Sequence, residues 1–241
     1  MEDTVGHGWE HVVLKLFRGK DFTFTVTGAE QVTERYRRVH FTDGGLLEAI
    51  GVHPTMWVRL WFDNAGKSHQ RAYTLVDPDA EAGTFSLEFA LHDGCASDWS
   101  RKAEPGDTIE ATVQGSGFEV PDPLPERMLV IGDPASLPAI DSLLAVAPKL
   151  PATIWFETTD DVDHELPFRI NPDHHELRTV PRQEMVEGVK ADLPKFISDP
   201  ADAFVWIACD TVTTRTLTSY LLKDLSVPKH RVKALGYWRA A

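Results

Sequence analysis

The sequence predicts a β + α/β protein, in which a small antiparallel β-barrel precedes an α/β domain with a parallel sheet. The first half alternates short apolar segments with turns and has almost no helical period. The second half alternates compact apolar strands with helical segments. Between them, residues 121–125 hold three prolines, which stiffen the chain and prevent strand pairing. We therefore expect one domain over residues 1–122 and another over residues 123–241.

The strands predicted for the barrel are short and separated by turn residues. Residues 22–27 alternate apolar and polar side chains, as in a half-buried strand. Residues 57–62 run into Asp63-Asn64-Ala65-Gly66, which is typical of a hairpin connection. The other predicted strands span residues 37–41, 71–76, 84–91 and 108–113.

The α/β domain begins with residues 128–131, an apolar run suited to a strand buried on both faces. The same pattern predicts strands over residues 153–156 and 203–208, and helices are predicted over residues 137–147 and 213–222. Ligands of open parallel sheets bind outside the carboxyl ends of the strands. Those ends are Gly132-Asp133, Glu157-Thr158 and Cys209-Asp210.

Charge and composition narrow the range of partners. The chain has 241 residues, with 24 basic and 37 acidic side chains and a net charge of −13. This balance argues against a nucleic-acid partner and against an anionic membrane surface. Two distant cysteines, an acidic start without an apolar signal core and the lack of a long apolar run predict a cytoplasmic protein.

Arg71-Ala72-Tyr73-Thr74 is the most informative tetrapeptide. On a strand, Arg71 and Tyr73 point to one side while Ala72 and Thr74 point to the other. An aromatic ring beside a guanidinium can stack a planar ring and hold an anionic tail, and the Thr74 hydroxyl can bond to the edge of that ring. The alternative is an ordinary strand with an exposed arginine and a half-buried tyrosine.

A second cluster follows in residues 89–99. A strand is predicted to end at His92, a turn containing Gly94 follows, and Ser97 or Asp98 is expected to cap a short helix. Free N–H groups at a helix start can bind an anion. The alternative is a capped helix without a ligand.

Together these motifs resemble the siderophore-interacting proteins, which are FAD-containing ferric-siderophore reductases of the ferredoxin-reductase-like group. The resemblance rests on the order of R-x-Y-T, F-x-L-H, G-x-A-S-x-W and P-G-D along residues 71–107. It continues through residues 130–140, similar to the family's G-D-E-T-A-L-P-A-I, and closes on Gly236-Tyr237-Trp238-Arg239, similar to its terminal G-Y-W-R.

The resemblance implies a six-stranded FAD-binding barrel followed by a nicotinamide-binding-like α/β domain. It implies that Tyr73 stacks on the isoalloxazine, Arg71 meets the pyrophosphate and Thr74 approaches the reactive edge of the flavin. Implied contacts to FAD further come from Ala72, Leu91, His92, Ala96 and Ser97. NADPH or NADH would meet Gly132, Asp133, Cys209 and Asp210, and no catalytic group beyond the flavin is required.

Two departures from the family pattern concern the nicotinamide side. Pro134 stands in the G-D-E-T segment, where it suits a first helical turn, and Cys209 stands where the family has glycine. The cysteine narrows the room for a nicotinamide. A basic C-terminal stretch, residues 223–239, predicts attraction of an anionic ferric chelate, with Lys233 and Arg239 as substrate candidates.

The sequence therefore predicts an FAD-dependent NAD(P)H:ferric-siderophore oxidoreductase that releases ferrous iron. The alternatives are a flavin reductase with another donor, such as ferredoxin, or another acceptor, and a non-catalytic flavin- or siderophore-binding protein. No permanent metal site is expected, because residues 160–165 and His174-His175-Glu176 lack metal-ligand spacing and are predicted to lie in a solvated loop.

Overall fold

The computed structural model describes residues 20–113, 118, 121, 123–159 and 165–239. The chain divides into two compact units, residues 1–118 and residues 119–241. In the described part of the chain, no helix combines the length and apolar character that crossing a membrane requires.

The first unit is a closed six-stranded barrel. Its strands pair antiparallel in the order β1-β2-β5-β4-β3-β6, and β6 returns to β1 to close the barrel. Two helices, α1 and α2, accompany the strands. The elements are β1 (Lys20–Thr33), β2 (Tyr36–Thr42), α1 (Leu46–Ile50), β3 (Trp57–Asn64), β4 (Lys67–Asp79), β5 (Thr84–Ala90), α2 (Cys95–Lys102) and β6 (Thr108–Val113).

An aromatic cluster fills the interior of the barrel. The ring of Phe85 lies 4.8 Å from that of Phe24 and 5.4 Å from that of Phe41, measured between centroids, and all three side chains are buried. These distances are typical of edge-to-face and stacked aromatic pairs. The alternation of apolar and polar residues in β1 thus reflects one face turned toward this core.

The second unit is an α/β domain with a five-stranded parallel sheet in the order β11-β10-β7-β8-β9. Every residue of β7 and β10 is buried, as expected for central strands covered on both faces. Together with the barrel, this sheet confirms the predicted fold class. The elements are β7 (Met128–Gly132), α3 (Leu137–Val146), β8 (Ala152–Thr158), β9 (His175–Pro181), α4 (Met185–Phe196), β10 (Phe204–Ala208), α5 (Thr211–Lys223) and β11 (Val232–Ala234).

Several elements differ from the sequence prediction. His175 and Glu176 begin strand β9, so the prediction that they lie in a solvated loop is wrong. The strand was missed because its side chains are mostly polar and half-buried, without the apolar run of a central strand. Residues 160–164 of the other polar segment lie outside the described residues. Helix α4, which packs on the sheet through Met185, Val189 and Leu193, was also not predicted.

We predict that Phe24→Ala lowers the free energy of unfolding of the barrel by about 3–5 kcal/mol, because it empties the centre of the aromatic cluster. Urea denaturation followed by circular dichroism measures the change. Val52→Ala is the matched control, since Val52 is 48% exposed, and we expect it to change stability by less than about 0.5 kcal/mol. Equal effects of the two substitutions would contradict this assignment of the core.

Candidate functional site

In the barrel, Tyr73 presents a half-buried ring on β4. The ring centroid lies 4.4 Å from that of Phe89 and 6.3 Å from that of Phe62, so the tyrosine ring is held in place by neighbouring aromatic rings. Burial raises the pKa of the Tyr73 hydroxyl well above its usual range, outweighing the nearby Arg71 guanidinium, which lowers it. The ring is therefore a neutral, fixed platform.

The other residues of the tetrapeptide differ in exposure, although not in the strict alternation that the strand pattern predicts. Thr74 is buried, whereas Arg71 and Ala72 are exposed. The Arg71 guanidinium donates a hydrogen bond to the carbonyl oxygen of its neighbour Gln70, at 2.7 Å, and within the described chain it has no carboxylate partner. Arg71 therefore carries an uncompensated positive charge beside the tyrosine platform.

Helix α2 begins at Cys95 without a side-chain cap. Gly94 precedes it with φ 154° and ψ 158°, a conformation that favours glycine, and no side chain accepts from the first-turn N–H groups. The expectation that Ser97 or Asp98 caps this helix is wrong, because both lie inside it. Ser97 is buried and its hydroxyl accepts a hydrogen bond from the N–H of His92 at 3.1 Å, which fixes the loop after β5.

These two features lie close together. Tyr73 and Cys95, the first residue of α2, both pack against the barrel core, and the Cys95 side chain raises the pKa of the Tyr73 hydroxyl. Uncapped N–H groups of Cys95 and Ala96 and the free charge of Arg71 suit an anionic diphosphate, while the Tyr73 ring suits a planar partner. The donor set present in the barrel therefore fits a dinucleotide such as FAD.

In the α/β unit, the loop after β7 is closed by its own hydrogen bonds. The carboxylate of Asp133 accepts from the Ser136 N–H at 3.1 Å, and the Ser136 hydroxyl accepts from the Asp133 N–H at 2.8 Å. The other carboxylate oxygen of Asp133 accepts from the indole N–H of Trp238 at 2.7 Å. The Asp133 carboxylate thus occupies the position at the start of α3 where an anionic ligand would otherwise bind.

Buried acidic groups surround this loop. Asp133, Glu157 and Asp210 are all buried at the carboxyl ends of the sheet strands. Burial raises the pKa of Asp133 to about 6, against hydrogen bonds from Trp238 and Ser136 that lower it. Burial and then the charges of these three acids raise the pKa of the Cys209 thiol well above its usual range. Cys209 is therefore a neutral thiol and not a reactive thiolate.

Asp210 has a different role from Asp133. Its carboxylate caps α5 by accepting from the N–H groups of Val212 and Thr213 at 2.8 and 3.2 Å. Burial raises the pKa of Asp210, but the hydrogen bonds from Thr213 and Val212 together lower it by more. The pKa of Asp210 therefore lies below its usual value. The sequence-predicted set of Gly132, Asp133, Cys209 and Asp210 is thus brought together by adjacent strands β7 and β10.

Arg182 and Glu157 complete the arrangement. The Arg182 guanidinium lies 4.5 Å over the ring of Trp238, and its Nε is 3.7 Å from a carboxylate oxygen of Glu157. The sequence placed Glu157 at the carboxyl end of a predicted strand, but no sequence pattern indicated that Arg182 belongs to the site. It reaches the site because β9 pairs with β8 and ends beside Glu157.

The terminal segment, residues 234–239, extends along β10 and α5. Trp238 and Asp210 form an isolated parallel β-bridge. The carbonyl oxygen of Trp238 accepts from the N–H of Thr211 at 2.9 Å, and the N–H of Tyr237 donates to the carbonyl oxygen of Cys209 at 2.8 Å. Gly236 is required here because a Cβ would lie 2.9 Å from the Thr211 hydroxyl. Both substrate candidates, Lys233 and Arg239, are exposed, and no contact between them is seen.

No metal centre emerges from the described residues, among which no group of three histidine, cysteine, aspartate or glutamate side chains could hold an ion. His175 is buried on β9, and its Nδ1 accepts from the N–H of Asn171 at 3.0 Å. Cys95 and Cys209 are both free thiols.

Two family models match the chain. The model for the siderophore-interacting FAD-binding domain matches residues 55–115, and the model for the siderophore-interacting protein matches residues 125–241. The first covers the tyrosine platform and the start of α2. The second covers the α/β unit.

Relatives and solved structures agree with these matches. The mycobactin import ATP-binding/permease protein IrtA of Mycolicibacterium smegmatis is 31% identical over 97% of the chain, which spans only 28% of that relative's length. The ferric acinetobactin reductase of Acinetobacter baumannii is 23% identical, with 77% of this chain and 67% of the relative covered.

Among solved structures, a siderophore-interacting protein from Acinetobacter baumannii superposes with a TM-score of 0.77 at 20% identity, over 92% of both chains. That likeness concerns the fold. The two family models together extend over most of the chain and both describe the same family of proteins. The chain belongs to the siderophore-interacting protein family.

Proposed function

We propose that the protein is an FAD-dependent reductase that moves electrons from NADPH or NADH through flavin to a ferric siderophore. One observation carries the proposal: the tyrosine platform, the unpaired Arg71 and the uncapped start of α2 fall within the region matched by the FAD-binding domain model. The reductase name of the Acinetobacter baumannii relative supports the same class of reaction.

In this proposal the barrel residues bind and orient the cofactor. Tyr73 would stack on the isoalloxazine, and Arg71 would neutralise the diphosphate, to which the N–H groups of Ala96 and Ser97 would also donate. The backbone groups of Leu91 and His92 would line the ring, and the Thr74 hydroxyl and Ala72 would lie at its edge. Bound FAD would take up a hydride and deliver two single electrons, one to each of two ferric ions.

The α/β residues would hold the nicotinamide donor, and the basic C-terminal residues Lys233 and Arg239 would attract the anionic ferric chelate. Hard oxygen ligands bind ferrous iron far more weakly than ferric iron, so reduction releases the metal from the siderophore. This iron is substrate and needs no permanent ligand in the protein. A proton donor in the protein is likewise unnecessary for transfer of an electron to iron.

Anaerobic stopped-flow spectroscopy tests the proposal. The purified protein, loaded with FAD, should show the flavin absorbance bands and lose them when NADPH or NADH is added. A ferric siderophore should then restore the oxidised spectrum, with ferrous iron trapped by a colorimetric chelator. A protein that takes up no FAD overturns the proposal, and a flavin that the nucleotides reduce but the chelate never reoxidises identifies a flavin reductase with another acceptor.

A second candidate is a flavin reductase with a different donor, such as ferredoxin. The observation that favours it is the negative charge at the nicotinamide side, where Asp133, Glu157 and Asp210 are buried around Cys209 and the start of α3 holds the Asp133 carboxylate. These charges oppose the diphosphate of a nicotinamide nucleotide. Reduction of the flavin by reduced ferredoxin, but by neither nucleotide, would favour this candidate.

We expect Arg71→Gln to weaken FAD binding by about tenfold to a hundredfold, because it removes a charge-assisted hydrogen bond to the diphosphate. Fluorescence titration of the apoprotein with FAD measures the dissociation constant. Arg101→Gln is the control, since Arg101 is exposed at the end of α2 and pairs with Asp98. If both substitutions weaken binding alike, Arg71 has no specific role at the diphosphate.

The affinity for NAD⁺ should increase as the pH falls from 7.5 to 5.5. Because burial raises the pKa of Asp133 to about 6, this carboxylate is charged above that pH and neutral below it. The neutral form repels the diphosphate less, whereas the diphosphate itself does not titrate in this range. Calorimetric titrations at several pH values measure the trend, and Asp133→Asn should bind with little pH dependence. A wild-type affinity that stays constant with pH would refute this role for Asp133.

A further inference from the structure

A groove of about 700 Å³ lies between α5 and the terminal segment, within the α/β unit. One wall is a face of α5, on which Thr211, Thr214, Thr218 and Ser219 line up with Arg215 and Lys223. The opposite wall consists of Ala234 and residues 236–239. This volume is in the range of sites for small organic ligands.

Three cations border the groove without partners. Arg215, Lys223 and Arg239 are exposed, and within the described chain none of them forms an ion pair or a side-chain hydrogen bond. Two other lysines of the same unit are paired, the exposed Lys195 with Asp192 at 2.6 Å and the half-buried Lys190 with Glu187 at 3.1 Å. All of the lining residues are described, and no carboxylate is among them.

The charge of the whole protein makes this local excess more informative. At −13, the chain repels anions in general, so a local group of cations stands out as a place where an anion is attracted. Arg215 and Lys223 are eight residues apart on α5, which places them about 12 Å apart along the helix axis. Arg239 stands on the opposite wall.

The hydroxyl groups that line the groove beside the cations offer acceptors. Thr218 donates its hydroxyl proton to the carbonyl oxygen of Thr214 at 2.6 Å, and Thr211 donates to that of Trp238 at 2.9 Å. With these protons used by the backbone, the oxygen lone pairs remain to accept from a ligand. A ligand that matches the groove therefore has separated anionic groups and hydroxyl or N–H donors between them.

We propose that the groove between α5 and the terminal segment binds a small polyanion with phosphate or carboxylate groups separated by about 12 Å or less. Arg215 and Arg239 hold one anionic group and Lys223 holds another, while the threonine face accepts hydrogen bonds from the ligand. The proposed function assigns only Arg239 of these residues to the ferric chelate, and binding in the groove requires neither flavin nor donor.

Isothermal titration calorimetry of the full chain with tripolyphosphate and with citrate, at constant ionic strength, tests the proposal. We expect at least one of the two to bind, with affinity that falls as sodium chloride is raised. Binding of tripolyphosphate alone identifies a phosphorylated ligand, and binding of citrate alone identifies a carboxylate ligand. Both results support the site, and no binding of either overturns it.

Variants distinguish binding in the groove from an effect of the protein's net charge. Arg215→Gln combined with Lys223→Gln should weaken binding at least about tenfold. The control is Lys102→Gln combined with Lys149→Gln, which changes the net charge equally at exposed positions outside the groove. Equal weakening by the two pairs would overturn the proposal.

A third variant leaves every cation in place. Ser219 is half-buried in the groove wall, so Ser219→Trp fills the space with an indole ring. Binding should be lost, while thermal melting shows that the variant is folded. Binding that survives in the folded Ser219→Trp protein would place the anion outside the groove and contradict the proposal.

Discussion

The hydrogen bond between the indole N–H of Trp238 and the carboxylate of Asp133, at 2.7 Å, joins two parts of the chain that are 105 residues apart. Asp133 is buried and is bound at its other oxygen by Ser136, so it anchors the bond rigidly to the start of α3. Trp238 in turn fixes the terminal segment along β10 and α5, with Arg182 stacked on its ring. The carboxyl ends of β7 and β10 and the groove beside α5 both contact this anchored segment.

Charged groups are distributed unevenly around this anchor. On the interior side of Trp238, Asp133, Glu157 and Asp210 are buried with Arg182 as their nearby cation. On the other side, Arg215, Lys223 and Arg239 are exposed and unpaired among the described residues. Burial raises the pKa of Asp133, and burial followed by the charges of the three acids raises the pKa of the Cys209 thiol.

Local sequence patterns predicted the central strands of the parallel sheet well. They failed for a strand with mostly polar side chains and for a helix that begins without a side-chain cap. The apolar runs of β7 and β10 were evident because both faces of a central parallel strand are covered. Strand β9 was missed because an edge strand needs little apolar surface. The start of α2 was misplaced because Gly94 ends the preceding turn without a side-chain cap, whereas serine and aspartate are the usual capping signals.

By itself, the sequence determined the two-part architecture, the family resemblance and the residues at the carboxyl ends of the strands, since each depends on neighbours along the chain. Only the tertiary structure decided how those residues act. Burial determines that Cys209 is a neutral thiol and that Asp133 titrates near pH 6. Strand pairing brings Arg182 to Glu157 and Trp238. Solvent exclusion and contacts between distant segments set these properties, and neither is encoded in the spacing of residues along the chain.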